Sequence, residues 1–399
     1  MQIISPEGDH SSPSRYTMSI GITCSTKLNE LVTNLWSSPV FGNSFSAQIS
    51  QPMLTRINRI YQRCADDLLV MITSMRPDLS EHARRALVDQ VAPKSVAFCG
   101  ILTVDDVDDP VRCAATAIAT AIVYLGDQTI DRGDTAMLWA LERLSHSQDL
   151  RGYGAPSKAQ AERYLELLGG MVQQVNLMAR PEDRFELLHL LVHDTLVREA
   201  RVLRLNQIFL QVEEETFWEE YAEEYAEQIV MNAGFIAVAS MNYSVLRHTR
   251  PHLPSVALVL SSAPSIAAAL KAGSAACRIF DEVGDRVIDQ GHTRWGKFCV
   301  NPCNQRDPRF LNALCDSMGM HEPETRKNLL SAFYTEDFGS VIEQTRAFVR
   351  EQYAAIPTHL WQEYGPFLRL SQRVLEAGWV NLVGDEQLME NLGMQDKAA

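Results

Sequence analysis

Residues 277–289 read CRIFDEVGDRVID, and residues 110–131 read PVRCAATAIATAIVYLGDQTID. In the first stretch Asp281, Asp285 and Asp289 recur at every fourth position. Four residues turn an α-helix by about 400°, so these carboxylates drift only about 80° around the axis while climbing about 12 Å. They form one acidic ridge. The second stretch is nearly unbroken apolar sequence from Cys113 to Gly126, followed by Asp127 and Asp131, again four apart. A helix that is apolar all round belongs in the centre of a domain. A carboxylate at its mouth needs a partner, because an unpaired charge is costly away from water. Two such helices can face each other across a cavity.

Working outward, the rest of the chain has the same character. Apolar residues at helical spacing follow Pro52 (Leu54, Ile57, Ile60, Tyr61), and Asp78-Leu-Ser80 opens a second segment. The acids Asp105, Asp106, Asp108 and Asp109 precede Pro110 and read as a loop capping the next helix, with proline in its first turn. Asp134 is expected to cap a helix starting near Thr135. Further helices are expected over about 157–178, 182–212, 213–247 and 264–289, then three or four more after an irregular stretch through Pro308. No alternating strands, βαβ pattern or internal repeat occurs. The expected fold is all-α: an irregular segment over residues 1–50, then one helical domain over 51–399.

Composition agrees with a globular protein. Of 399 residues 46% are apolar, and 36 Lys plus Arg stand against 50 Asp plus Glu, a net charge of -14. An acidic chain without a basic run argues against nucleic acid or an anionic membrane surface as partner. The first twenty residues lack a basic region followed by an apolar one, so no secretory signal is read there and a cytoplasmic protein without membrane insertion is expected. Eight scattered cysteines, without a second pair to match Cys299 and Cys303, are expected to be free thiols. The histidines show no metal-ligand spacing, and the aromatic run Phe217, Trp218, Tyr221 and Tyr225 reads as core packing.

Taken alone, the ridge at 281–289 has two readings. Like charges at this spacing destabilise a bare helix by a few tenths of a kcal/mol per pair, so the ridge wants a counter-charge. That could be solvent with local Arg and Lys, or a metal ion. Two facing carboxylate pairs favour Mg2+, a hard cation that takes oxygen ligands and shares its shell with substrate phosphates.

With both stretches in view, the chain resembles the class I terpene synthases, all-α enzymes with an aspartate-rich motif on one helix and a second metal motif on another. Asp281-Glu282-Val-Gly-Asp285-Arg-Val-Ile-Asp289 fits the second motif, (N/D)(D/E)xx(S/T/G/D)xxx(E/D), position by position. Asp127 and Asp131 match the outer acids of DDxxD, with Gln128 in place of the second. The motifs stand in the family's order, about 150 residues apart. Among its members the chain is most similar in outline to the divergent fungal humulene-type sesquiterpene synthases. Two features depart from the pattern. The stretch Tyr225-Ala-Glu-Gln228-Ile-Val-Met-Asn232, where a diphosphate-sensing Arg would stand, has none, and no Arg-Tyr pair occurs around Gly378-Trp379-Val-Asn381.

The resemblance implies a single class I terpenoid-synthase-type bundle and a Mg2+-dependent sesquiterpene cyclase. Such an enzyme ionises farnesyl diphosphate and cyclises the cation to a humulene- or caryophyllene-type hydrocarbon. It implies three Mg2+ ions held by Asp127, Asp131, Asp281, Asp285 and Asp289, with Asp127, Asp281 and Arg286 acting in the ionisation. Cations for the diphosphate would come from Arg286, from Arg294 and Lys297 just after it, or from Arg198 and Arg201, with Asn232 in the sensor stretch. Phe98, Tyr124, Phe235, Phe280 and Trp295 are the aromatic candidates for the pocket, each also readable as plain core. A chain-elongating prenyltransferase and a non-catalytic helical scaffold are the alternatives, and a homodimer is left open.

Overall fold

The computed structural model describes residues 28, 31–33, 35, 49–131, 134–145, 156–231, 234–289 and 302–383. Among them every regular element is helical and none is a strand, so the all-α expectation holds.

Ser50 accepts a hydrogen bond from the Met53 amide, and proline stands in the first turn, which starts helix α1 (Gln51–Met75). Its Ile57, Ile60, Cys64, Leu68 and Ile72 are buried at helical spacing. Ser80 caps α2 (Glu81–Ser95) in the same way, and α2 runs on into a π-helical turn, Val96–Gly100. The Asp109 side chain accepts from the Arg112 amide at the start of α3 (Pro110–Asp131), as the sequence led us to expect. Ala114, Ala115, Ala117, Ile118, Ala119, Ala121 and Ile122 are all buried, which places α3 at the centre, against α1 and α2.

The acids ahead of Pro110 do more than cap. Arg373 binds Asp105 at 2.6 Å and Asp106 at 3.2 Å, Arg250 reaches Asp106 at 3.0 Å, and Arg56 reaches Asp108 at 3.2 Å. The loop is thereby pinned to three distant parts of the chain.

Asp134 caps α4 (Thr135–Ser145), accepting from the Ala136 amide at 2.9 Å and from the Tyr164 hydroxyl. Then follow α5 (Lys158–Met178) and α6 (Pro181–Leu191), a second π-turn at Val192–Val197, and α7 (Arg198–Phe209). Where one helix is expected over 213–247 there are two, α8 (Glu214–Met231) and α9 (Phe235–Thr249). Gly234 has φ of +63°, a left-handed conformation that costs glycine little and breaks the helix. After the short α10 (Val256–Leu260) comes α11 (Pro264–Asp289), then a 3-10 turn at Pro302–Asn304. Four helices complete the described chain: α12 (Pro308–Met318), α13 (Pro323–Tyr334), α14 (Phe338–Ala354) and α15 (Thr358–Val383).

α11 packs against α8, α9, α14 and α15, while α9 also touches α3, so α9 lies between the two helices that carry the acids. A buried ion pair ties α6 to α9: Arg247 meets Asp183, whose oxygens also accept from Ser244 and from the Val256 amide, each at 3.0 Å. Phe217, Trp218 and Tyr225 are fully buried and pack on one another, and Trp218 and Tyr225 also contact Phe310 of α12, as core.

Within the segment expected to be irregular, residues 28, 31–33 and 35 are helical, and Leu28, Leu31, Val32 and Leu35 are buried. Over Glu214–Thr249 the chain is long and apolar enough to cross a membrane, with a mean hydropathy of 1.5 in its most apolar window. In the folded protein 75% of that window is buried, as in a core helix. The six described cysteines are free thiols.

Candidate functional site

α3 and α11 present their ends to one cavity of about 220 Å³. α3 lines it with Thr120, Val123, Tyr124 and Asp127, and α11 with Cys277, Arg278 and Asp281. The spacing explains the layout. Thr120, Val123, Tyr124 and Asp127 share one face of α3 because residues three and four apart are helical neighbours. Cys277 and Asp281 do the same on α11. The walls between them come from Phe235, Val238 and Met241 of α9 and from Val374, Ala377 and Gly378 of α15. Phe98 and Thr195 add to the lining, each from a π-turn, beside Leu191, Gly234 and Ala237. Such turns re-aim side chains within an otherwise regular helix and recur at functional sites.

The cavity is graded from polar to apolar. Asp127 is half-buried and Asp281 is exposed, whereas Cys277, Phe235, Val238 and Met241 offer only carbon and sulfur. Arg278 belongs to the charged end. It is ion-paired with Glu282, which is buried, and its Nη1 lies 3.9 Å from Asp281. Lys94 does not line the cavity, but its ammonium lies 6.0 Å from the centre of the Tyr124 ring, which does, within cation–π range. Burial pushes the Cys277 thiol above the ordinary thiol range, with the Asp281 charge adding to the effect. The thiol is therefore protonated at neutral pH, and the thiolate that would be the nucleophile is suppressed.

Of the sequence-predicted residues, Asp127, Asp281, Phe98, Tyr124 and Phe235 meet in this cavity. Asp131, Asp285, Arg286 and Asp289 continue α3 and α11 beyond its mouth, but their side chains are outside the described set. Asn232, Arg294, Trp295 and Lys297 lie outside the described residues altogether. Phe280 does not line the cavity: it is buried in the core, because the residue before Asp281 points about 100° away around the helix. Arg198 and Arg201 do not line it either. Arg198 instead pairs with Asp194 at 3.5 Å and donates to Gln228 at 3.0 Å. It thus reaches from α7 to the segment of α8 that lacks an Arg of its own. Among the described residues no three His, Cys, Asp or Glu side chains cluster as a metal site.

Lys94 and Arg278 were missed by sequence reasoning. The available signals were weak. Lys94 is the only charged residue between Asp89 and Asp105, and Arg278 stands one turn before the ridge. A larger groove of about 710 Å³ between α8 and α12 is lined by Trp218, Glu219, Glu223, Glu227, Lys271 and Arg309 among others, and holds none of the candidate metal- or substrate-binding residues.

No protein-family model matches the chain, and no curated protein matches it.

Proposed function

We propose that the protein is a Mg2+-dependent class I terpene cyclase that converts farnesyl diphosphate to a cyclic fifteen-carbon hydrocarbon and releases diphosphate. One observation carries the reading: Asp127 and Asp281, picked out as the acids ending two apolar helices, line a single cavity whose other walls, Arg278, Cys277 and two threonines apart, are aromatic and aliphatic. The donor set fits the metal. Asp127 and Asp281 offer hard carboxylate oxygens at the mouth, and Asp131, Asp285 and Asp289 lie one and two turns further along the same helices. Bound there, Mg2+ would supply Lewis-acid stabilisation of the departing diphosphate.

The chain's own residues have distinct tasks. Asp127 and Asp281 would hold the metal ions. Arg278 and Lys94 offset the charge that remains on the diphosphate, a task the resemblance assigned to cations elsewhere. Phe98, Tyr124 and Phe235 line the cavity, and an aromatic face presented to a desolvated cation stabilises it by about 2 kcal/mol. Val238, Met241, Val374 and Ala377 exclude water, which would otherwise capture the carbocation. Cys277, held protonated, adds no thiolate to capture it.

The test is incubation with farnesyl diphosphate, with and without Mg2+, followed by gas chromatography and mass spectrometry of an organic extract. A cyclic hydrocarbon that vanishes with EDTA, and in Asp127→Ala and Asp281→Ala variants, is the expected result. A folded protein that yields no hydrocarbon from geranyl, farnesyl or geranylgeranyl diphosphate overturns the reading. A lengthened diphosphate would identify a prenyl elongase instead, and complete inertness a helical scaffold.

A further inference from the structure

From Asp281 the α11 ridge descends through Cys277 to Gly273, each four residues apart and together spanning about 12 Å. Gly273 is not part of the lining, whereas Phe235 is. The reason is contact: a Cβ placed on Gly273 would lie 2.7 Å from Cζ and 2.8 Å from Cε1 of the Phe235 ring. The tip of the ring meets the bare backbone of α11 at Gly273, and the same side chain forms part of the cavity wall. Gly234 supports this placement, because its left-handed turn makes Phe235 the first residue of α9 and starts the ring on the α11 side.

We infer that Gly273 sets the depth of the cavity, and with it the length of the apolar chain the protein accepts, by letting the Phe235 ring recede into α11. This rests on the prenyl-diphosphate reading for the identity of the chain, but not for the steric argument. A methyl group at residue 273 cannot coexist with the ring where it stands. α11 is held by α8, α14 and α15, so the backbone does not yield; the ring tip, at the free end of a side chain, does. The empty space open to it is the cavity. The substitution therefore changes fold stability little and shortens the cavity from its apolar end, away from the carboxylates.

The experiment compares wild type, Gly273→Ala and Gly273→Ala/Phe235→Leu. Thermal unfolding establishes that each is folded. Calorimetry then measures binding of geraniol and farnesol, the ten- and fifteen-carbon isoprenoid alcohols, which need neither metal nor diphosphate. In Gly273→Ala farnesol should weaken about tenfold while geraniol changes less than twofold, since one misplaced methyl in an apolar pocket has an effect of that order. The smaller leucine in the double variant should restore farnesol. An unchanged farnesol-to-geraniol ratio in folded Gly273→Ala overturns the inference, as does a wild type that binds neither alcohol. Length-selective alcohol binding by a protein inert toward prenyl diphosphates would leave the depth role standing and sink the cyclase reading alone.

Discussion

Arg278 stands one helical turn before Asp281, with Nη1 3.9 Å from its carboxylate, and is held there by an ion pair with the buried Glu282. A guanidinium fixed by one acid beside a second, exposed acid stands preorganised next to where an anion arriving with metal ions would sit. Arg278→Ala is expected to lower kcat/KM for farnesyl diphosphate by about 100-fold, as for loss of one preorganised donor to developing charge. Steady-state kinetics of diphosphate release measure it. The variant also leaves Glu282 buried without its counter-charge, so Glu282→Gln is the companion. A rate loss in Arg278→Ala matched in full by Glu282→Gln would trace the effect to packing, not to substrate contact.

Lys94 gives a separable expectation. Its stem rises from α2 four residues before Phe98, and its ammonium stands over Tyr124, which neighbours Asp127 by helical spacing. Lys94→Met keeps the aliphatic stem and removes only the charge. Inorganic diphosphate, titrated calorimetrically in the presence of Mg2+, should bind this variant several-fold more weakly, while the unfolding temperature stays within about 2 °C of wild type, as for a partly exposed residue. Unchanged diphosphate affinity would exclude Lys94 from the anion site.

The contrast between these cations and the acids explains what could be read in advance. Asp127 and Asp281 were legible because a carboxylate that ends an apolar helix conflicts with its own local context, and a conflict of that kind is visible in one dimension. The bounds of α11, expected over about 264–289, followed for the same reason. Lys94 and Arg278 conflict with nothing nearby, and their importance lies in what the fold brings opposite them. Phe235 and Phe280 show the limit within one residue type: both sit near a motif, but helix rotation turns one toward the cavity and the other into the core. The break at Gly234 escaped because apolar spacing continues across it, although Asn232-Ala-Gly234 carries a turn signal. The acids at 105–109 were read as a cap, which holds for Asp109, whereas the ion pairs of Asp105, Asp106 and Asp108 depend on arginines distant in the sequence.

Arg373 makes that last point testable. It is 5% exposed, donates to the Leu102 carbonyl at 2.6 Å and binds Asp105 and Asp106, anchoring the loop that leads into α3. Removing one member of a buried pair strands the other, at a cost of about 3–5 kcal/mol. Arg373→Met should therefore lower the unfolding temperature by about 5 °C. Arg373→Met combined with Asp105→Asn should recover part of the loss, since the stranded charge is gone. If the two losses simply add in urea unfolding, the pair is not coupled and the loop is anchored by other contacts.

Acidification should destabilise the fold in a window set by two histidines. Burial lowers the imidazole values of His193 and His248 from the ordinary 6.5, and positive neighbours add to it: His189 and Arg201 for the first, Arg112 and Arg180 for the second. A histidine whose folded value is depressed is protonated first in the unfolded chain. Stability is then full above about pH 6.5 and is lost as the pH falls through the folded-state values. The carboxyls of Asp307 and Glu322 are also lowered, by hydrogen bonds from Arg309 and Thr325, but their contribution is retained until the pH falls below their ordinary values of 3.8 and 4.5. Unfolding free energy measured in urea at pH 7.5 and 5.5 should fall in wild type, and the drop should shrink in His193→Gln/His248→Gln. An equal drop in both proteins would assign the acid sensitivity to other groups.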